Sequence, residues 1–91
     1  MPRYVVERNF SEGLHIPVNE VGARACRKVV DNNARAGVTW LHSYVREDLG
    51  KSFCVYDAPN PEAIRTVAGV NELPVNDITP VRVLDPYFYL A

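Results

Sequence analysis

The sequence predicts an α+β fold in which four strands and two helices follow one another in the order β-α-β-β-α-β. Two stretches space their apolar residues as helices do, and four runs are rich in β-branched and aromatic residues. Ninety-one residues are enough for one domain, residues 1–91, with a small core. We therefore expect a single sheet with both helices packed on one face.

The first strand and the first helix are predicted from residues 3–36. Arg3–Asn9 is a strand because valine and tyrosine occupy its middle, and a loop follows over Phe10–Pro17. Between Asn19 and Ala36 the spacing is helical, and Gly37 supplies the left-handed stop. The predicted buried stripe of this helix consists of Val18, Val21, Gly22, Ala25, Cys26, Val29 and Val30.

A hairpin, a second helix and a last strand complete the order. Val38–Arg46 alternates as a strand, and Ser52–Ala58 returns as its partner. Asn60-Pro61-Glu62 is a strong helix start. Asparagine caps the helix, and proline is suited to the first turn because no backbone N–H is needed there. The glutamate carboxylate lies near the positive end of the helix dipole. Ile78–Asp85 is the fourth strand, and Pro80 inside it requires an edge position.

Right-handed crossovers then fix the topology. They give a four-stranded antiparallel sheet in the order 4-1-3-2 with both helices on one face, the ferredoxin-like sandwich. Strand four lies at an edge, as Pro80 requires. The other face of the sheet has no helix to cover it.

The register of the hairpin decides which side chains share that uncovered face. Alternation in the second strand points four residues outward, namely Trp40, His42, Tyr44 and Arg46. A five-residue loop pairs Tyr44 with Cys54 and His42 with Tyr56, which places all of these on one face. A one-residue change in the turn instead places Phe53 and Val55 on the face with His42 and Tyr44. We favour the five-residue loop.

An uncovered sheet face rich in aromatic residues and valine predicts self-association. Such a face is too apolar to stay exposed to water, so we expect a homodimer that packs sheet to sheet in a barrel-like assembly. The C-terminal tail, residues 84–91, is expected to cross onto the partner. The predicted interface residues are Trp40, Tyr87, Phe88 and Tyr89.

Composition excludes several other partners. Ten basic and eleven acidic residues are interspersed, so no basic face exists for a nucleic acid. No apolar run has the length of a signal sequence or a membrane span, and we expect a cytoplasmic protein with no membrane partner. Cys26 and Cys54 have no C-x-x-C spacing, which argues against a structural zinc site and a disulfide.

Histidine and cysteine on the hairpin suggest a metal site. His42 is the main candidate ligand, and Cys54 and Glu7 are further candidates. Imidazole and thiolate donors suit nickel, copper and zinc. Tyr44 and Tyr56 are expected beside the ligands.

Each candidate ligand is also suited to a purely structural role. His42 fits an interface contact with a tyrosine, and Cys54 fits simple packing in the sheet. Glu7 lies on a central strand, where a carboxylate needs a partner, and Arg82 on strand four is the expected one.

Two segments, His42-Ser43-Tyr44 and Cys54-Val55-Tyr56 running into Ala58-Pro59, are specific enough to compare with known families. With several others they resemble a family of small bacterial nickel-binding proteins. The others are Val5-Val6-Glu7-Arg8, Trp40-Leu41, Glu62-Ala63-Ile64-Arg65, Val81-Arg82 and Asp85-Pro86. The resemblance covers nearly the whole chain. It implies a ferredoxin-like dimer and a bound nickel ion, without assigning the ligands.

Two alternatives to a nickel-binding protein remain. The sequence has no glycine-rich phosphate loop and no hydrolase motif, which argues against an enzyme. Dimers of this fold do include cofactor-free isomerases and monooxygenases that act on apolar rings, and His42, Tyr44 and Glu7 would be the acid-base set of such an enzyme. The third possibility is a dimeric interaction module without a ligand.

Overall fold

The structure, a computed structural model, describes residues 2–90 and has the predicted α+β topology. The helices are α1 (Glu20–Arg35), α2 (Pro61–Val70) and a short α3 (Pro86–Leu90). The strands are β1 (Arg3–Asn9), β2 (Thr39–Val45), β3 (Lys51–Asp57) and β4 (Asp77–Val81). They form one antiparallel sheet in the order β2-β3-β1-β4, which is the predicted order read from the other edge. The predicted fold is confirmed, and Pro80 lies on the edge strand β4.

Both long helices begin and end where the sequence places their capping residues. The Asn19 side-chain oxygen accepts the Val21 N–H at 2.9 Å, and the Asn60 side-chain oxygen accepts the Ala63 N–H at 2.9 Å. Each bond satisfies a donor that the first turn of a helix leaves unpaired. Gly37, with a φ of 72°, follows the end of α1 in the left-handed conformation. None of the helices in residues 2–90 is long and apolar enough to cross a membrane.

The predicted register of the hairpin is wrong by one residue. Tyr44 pairs with Phe53 and Ser43 pairs with Cys54. The cause is a shorter turn, because the Arg46 N–H donates to the Lys51 carbonyl at 2.8 Å and leaves only residues 47–50 as the loop. Asp48 stabilises this turn by accepting both the Gly50 N–H at 2.9 Å and Arg46 Nε at 2.8 Å.

Strand β2 is irregular at Leu41. Trp40 pairs with Tyr56 and His42 pairs with Val55, so Leu41 is an extra residue without a partner on β3. A bulge of this kind reverses the alternation of side chains on one side of it. Trp40 therefore turns toward the helices, where it packs against the core, and the prediction that it points outward with His42 is wrong.

The core lies between the sheet and α2. Val6, Ala58 and Ile64 are completely buried there. The other buried apolar side chains are Tyr4, Val38, Cys54, Tyr56, Val67 and Ala68. Ile64, Val67 and Ala68 form the buried stripe of α2.

Helix α1 lies less closely on the sheet than predicted. Gly22 is buried and both Cys26 and Val29 are partly buried, whereas Val18, Val21, Ala25 and Val30 are exposed. A cavity lies between this helix and the sheet, lined on α1 by Ala25, Cys26 and Val29. Hydrogen bonds between side-chain amides link α1 to the end of α2. Asn71, which follows α2, accepts from Asn32 at 2.8 Å and donates to Asn33 at 3.0 Å.

Candidate functional site

The sheet presents two different surfaces. Tyr4, Val6 and Arg8 of β1 are buried toward the helices, and the residues between them face the other way. We call the side away from the helices the open face. Its residues are Arg3, Val5 and Glu7 on β1, Thr39, His42 and Tyr44 on β2, Lys51, Phe53, Val55 and Asp57 on β3, and Asp77, Thr79 and Val81 on β4.

His42 is an exposed residue on the open face. It lies on the edge strand β2 opposite Val55. Its ring meets the Tyr44 ring edge-on, with 5.1 Å between the centroids and 83° between the planes. The predicted proximity of Tyr44 to His42 is thus present in the structure.

Glu7 also lies on the open face, but its partner is not the predicted one. Its carboxylate lies 3.5 Å from Lys51 Nζ on β3. Arg82 follows the end of β4 beyond Val81, which pairs with Arg3 at the opposite end of β1. The predicted pairing of Glu7 with Arg82 is wrong for that reason, and the residue opposite Glu7 on β4 is Asp77.

Cys54 and Tyr56 lie on the other side of the sheet, away from His42. Both are buried toward the helices because of the one-residue change of register. Cys54 Sγ lies 3.5 Å from the Ser52 hydroxyl, and the Tyr56 hydroxyl accepts from an Arg8 Nη at 3.1 Å. Burial raises the pKa of Tyr56, and the positive charge of Arg8 partly opposes that effect.

The predicted metal ligands therefore do not meet in one chain. His42 and Glu7 share the open face, but β3 runs between their strands, and His42 lies level with Val5, two residues along β1 from Glu7. They are therefore more than two strand spacings, ~10 Å, apart. Within residues 2–90, no group of three or more His, Cys, Asp or Glu side chains is arranged to hold a metal ion.

A second candidate site, absent from the sequence prediction, lies between α1 and the sheet. It is a cavity of about 270 Å³. Its wall is almost entirely apolar, and Arg8 is the charged residue in it. The sequence did contain a signal for this site, because Arg8 follows Tyr4 and Val6 at alternate positions and so falls on the buried face of β1.

Fold and site together define a ferredoxin-like α+β protein with one open sheet face. The family profile described as "Nickel responsive protein SCO4226-like" matches residues 4–81. The chain belongs to this family. The resemblance found in the sequence is confirmed.

Two solved structures are similar to this one. SCO4226 from Streptomyces coelicolor A3(2) has a TM-score of 0.70 and 14% sequence identity over 91% of this chain and 99% of that one, which supports the same fold. A structural-genomics protein, YJCS, covers 92% of this chain and all of its own at 15% identity, but its TM-score of 0.46 is too low to support an argument. No curated protein matches the chain.

Proposed function

We propose that this protein is a homodimeric nickel-binding protein whose metal site forms between the open faces of two copies. The observation that carries the proposal is the exposed imidazole of His42 on the open face, in a chain of the nickel-responsive family. Imidazole nitrogen is a preferred donor for nickel, and an exposed ring on a strand needs little rearrangement to bind an ion.

The open face supports the dimer. Val5, Phe53 and Val55 lie side by side at its centre, with Tyr44 at the edge. Beyond β4 the chain exposes large apolar side chains, with Tyr87 79% and Phe88 80% exposed. A second copy that covers the face and these residues would bury about 1,600 Å² in a standard interface. The side chain of Tyr89 lies outside the described residues, and Trp40 is left out of the proposed interface because it faces the helices.

Symmetry suggests which residues complete the metal site. A two-fold axis parallel to the strands reverses their order, so that β2 of one copy lies over β4 of the second. His42 then faces Thr79 of the second copy, and Asp77 lies two residues further along β4, directly beside Glu7. One imidazole and two carboxylates form a mixed nitrogen and oxygen donor set that suits a divalent nickel ion. Cys54 is left out because it lies on the buried face.

The chain offers a matched pair of variants for testing His42. It contains two histidines, and His15 lies exposed in the loop before α1, with its ring near the Glu12 carbonyl at 3.3 Å. Nickel is titrated by calorimetry into untagged wild type, His42→Ala and His15→Ala. We expect His42→Ala to lose at least tenfold in affinity and His15→Ala to keep the wild-type value. Equal affinity in His42→Ala and wild type refutes the site.

A mixing experiment tests whether the two copies share the ligands. Neither His42→Ala nor Glu7→Gln should bind nickel well alone. A dimer of one His42→Ala chain and one Glu7→Gln chain keeps one intact metal site. The Glu7→Gln chain supplies the histidine of that site, and the His42→Ala chain supplies its glutamate. Each heterodimer should therefore bind half as much nickel as a wild-type dimer, and an equimolar mixture that pairs at random should bind about a quarter, because half of its dimers are heterodimers. No recovery in a mixture shown to form heterodimers refutes a shared site.

Sedimentation velocity tests the dimer separately. Wild type should sediment as a dimer at micromolar concentration, and removal of residues 87–91 should shift it toward the monomer. A wild-type protein that is monomeric at that concentration, with and without nickel, refutes the proposed assembly.

A further inference from the structure

The cavity between α1 and the sheet is built for a small molecule. Its volume of about 270 Å³ exceeds the ~150 Å³ that an apolar protein cavity needs to hold a benzene molecule. Leu14 and Ile16 of the first loop, Val29 of α1 and Trp40 of β2 form much of its apolar wall. Ser52 and Tyr56 border it beside Arg8.

Arg8 is a buried cation with an unused donor. The residue is only 2% exposed. One Nη donates to the Pro74 carbonyl at 2.5 Å and the other to the Tyr56 hydroxyl at 3.1 Å, while Nε is buried and has no hydrogen-bond partner among the described residues. No Asp or Glu in residues 2–90 forms an ion pair with Arg8.

This arrangement is costly without an anion. A buried guanidinium loses its hydration, and two neutral acceptors and the Tyr56 ring, whose centroid lies 5.9 Å from the guanidinium carbon, replace only part of it. A planar carboxylate matches the donor geometry of arginine better than any neutral group does. Because Arg8 borders the cavity, its charge, which no carboxylate of the described residues balances, points to a negatively charged group at this end of it.

We propose that the cavity binds an apolar monocarboxylate of about eight to ten carbon atoms, with its carboxylate at Arg8 and its hydrocarbon part against Leu14, Ile16 and Val29. The apolar wall excludes a ligand with several charges, because only one cation is available to compensate them. This site lies on the opposite side of the sheet from the proposed nickel site and does not depend on it.

Trp40 reports binding directly, because it is the single tryptophan of the chain and it lines the cavity. Octanoate and 3-phenylpropionate are titrated into metal-free protein while tryptophan fluorescence is recorded. Octan-1-ol and 3-phenylpropan-1-ol are the uncharged controls, because they have the same carbon skeletons as the two acids. We expect at least one acid to saturate the signal and to bind at least tenfold more tightly than its alcohol.

Two variants separate the charge from the cavity. Arg8→Met removes the charge and keeps much of the volume, so the acid should lose at least tenfold in affinity while its alcohol binds as in wild type. The matched control is Arg65→Met, since Arg65 is exposed on α2 and pairs with Glu62. If Arg8→Met does not fold, Val29→Phe fills the cavity with Arg8 left in place, and both acid and alcohol should lose binding.

The proposal is overturned if neither acid binds wild type, or if acid and alcohol bind equally. It is also overturned if Arg8→Met binds the acid as tightly as wild type does, or if Val29→Phe retains the binding.

Discussion

Alanine in place of two helical glycines should change stability in opposite directions. A Cβ on Gly22 of α1 would lie 1.8 Å from the Pro17 carbonyl oxygen, whereas real Cβ atoms almost never come closer than 3.0 Å to such an atom. The loop or the helix must then shift by more than ~1 Å, a forced backbone movement that costs about 3 kcal/mol. The greater helix propensity of alanine offsets about 1 kcal/mol of this. Gly22→Ala should therefore lose about 2 kcal/mol of unfolding free energy.

Gly69 of α2 is the matched control, because a Cβ there meets nothing within 4 Å. Gly69→Ala should gain about 0.5–1 kcal/mol, the helix-propensity term alone. Urea unfolding followed by far-UV circular dichroism measures both. The midpoint of Gly22→Ala should fall by about 1–2 M and that of Gly69→Ala should rise. If Gly22→Ala is as stable as wild type, the close contact between the loop and α1 is wrong.

Two further predictions concern the sheet and the core. Asp57→Asn should be less stable than wild type at neutral pH, because the hydrogen bond from Arg3 at 2.8 Å lowers the pKa of Asp57 in the folded state. The stability that ionised Asp57 contributes is fully present above its unfolded pKa of about 3.9. It is lost as the pH falls through the lower pKa of the folded protein, so the urea midpoints of Asp57→Asn and wild type should converge in acid. Ile64→Ala, at a completely buried position, should cost about 2–5 kcal/mol, whereas Val70→Ala on the exposed side of α2 should cost less than about 0.5 kcal/mol. Equal urea midpoints for these two variants would contradict the assigned core.

Local sequence signals predicted most of the fold. The caps Asn19 and Asn60 act within one helical turn, so their effect is visible in the sequence next to them. The edge position of β4 followed from the right-handed crossovers and agreed with the position of Pro80. These signals need no knowledge of distant residues, which is why the element order and the sheet order were correct.

The candidate site was harder to predict because it depends on register. A turn shorter by one residue moved Cys54 and Tyr56 from the predicted site into the core. The choice between the two turns depends on a few hydrogen bonds around Asp48, which composition does not reveal. Arg8 was overlooked for a different reason. Its position in the alternation was visible, but the cavity beside it exists only because α1 stands away from the sheet.

The bulge at Leu41 leads to a last prediction, on the deletion of a residue from a strand. Trp40 and His42 already pair with consecutive residues of β3, Tyr56 and Val55. Removal of Leu41 makes β2 regular while Trp40 still faces the helices and His42 still faces outward. The stability should change by no more than about 1 kcal/mol, and the emission maximum of Trp40 should not move.

Deletion of Ser43 is the matched control for this experiment. The strand can absorb that loss only by using Leu41 as a paired residue, which moves His42 into the place of Ser43 opposite Cys54 on the buried side. An imidazole there no longer reaches the open face, so this variant should lose nickel binding while the Leu41 deletion keeps it. A Leu41 deletion that unfolds, or that shifts the Trp40 emission to the red, would show that the bulge itself holds the two faces of β2 in place.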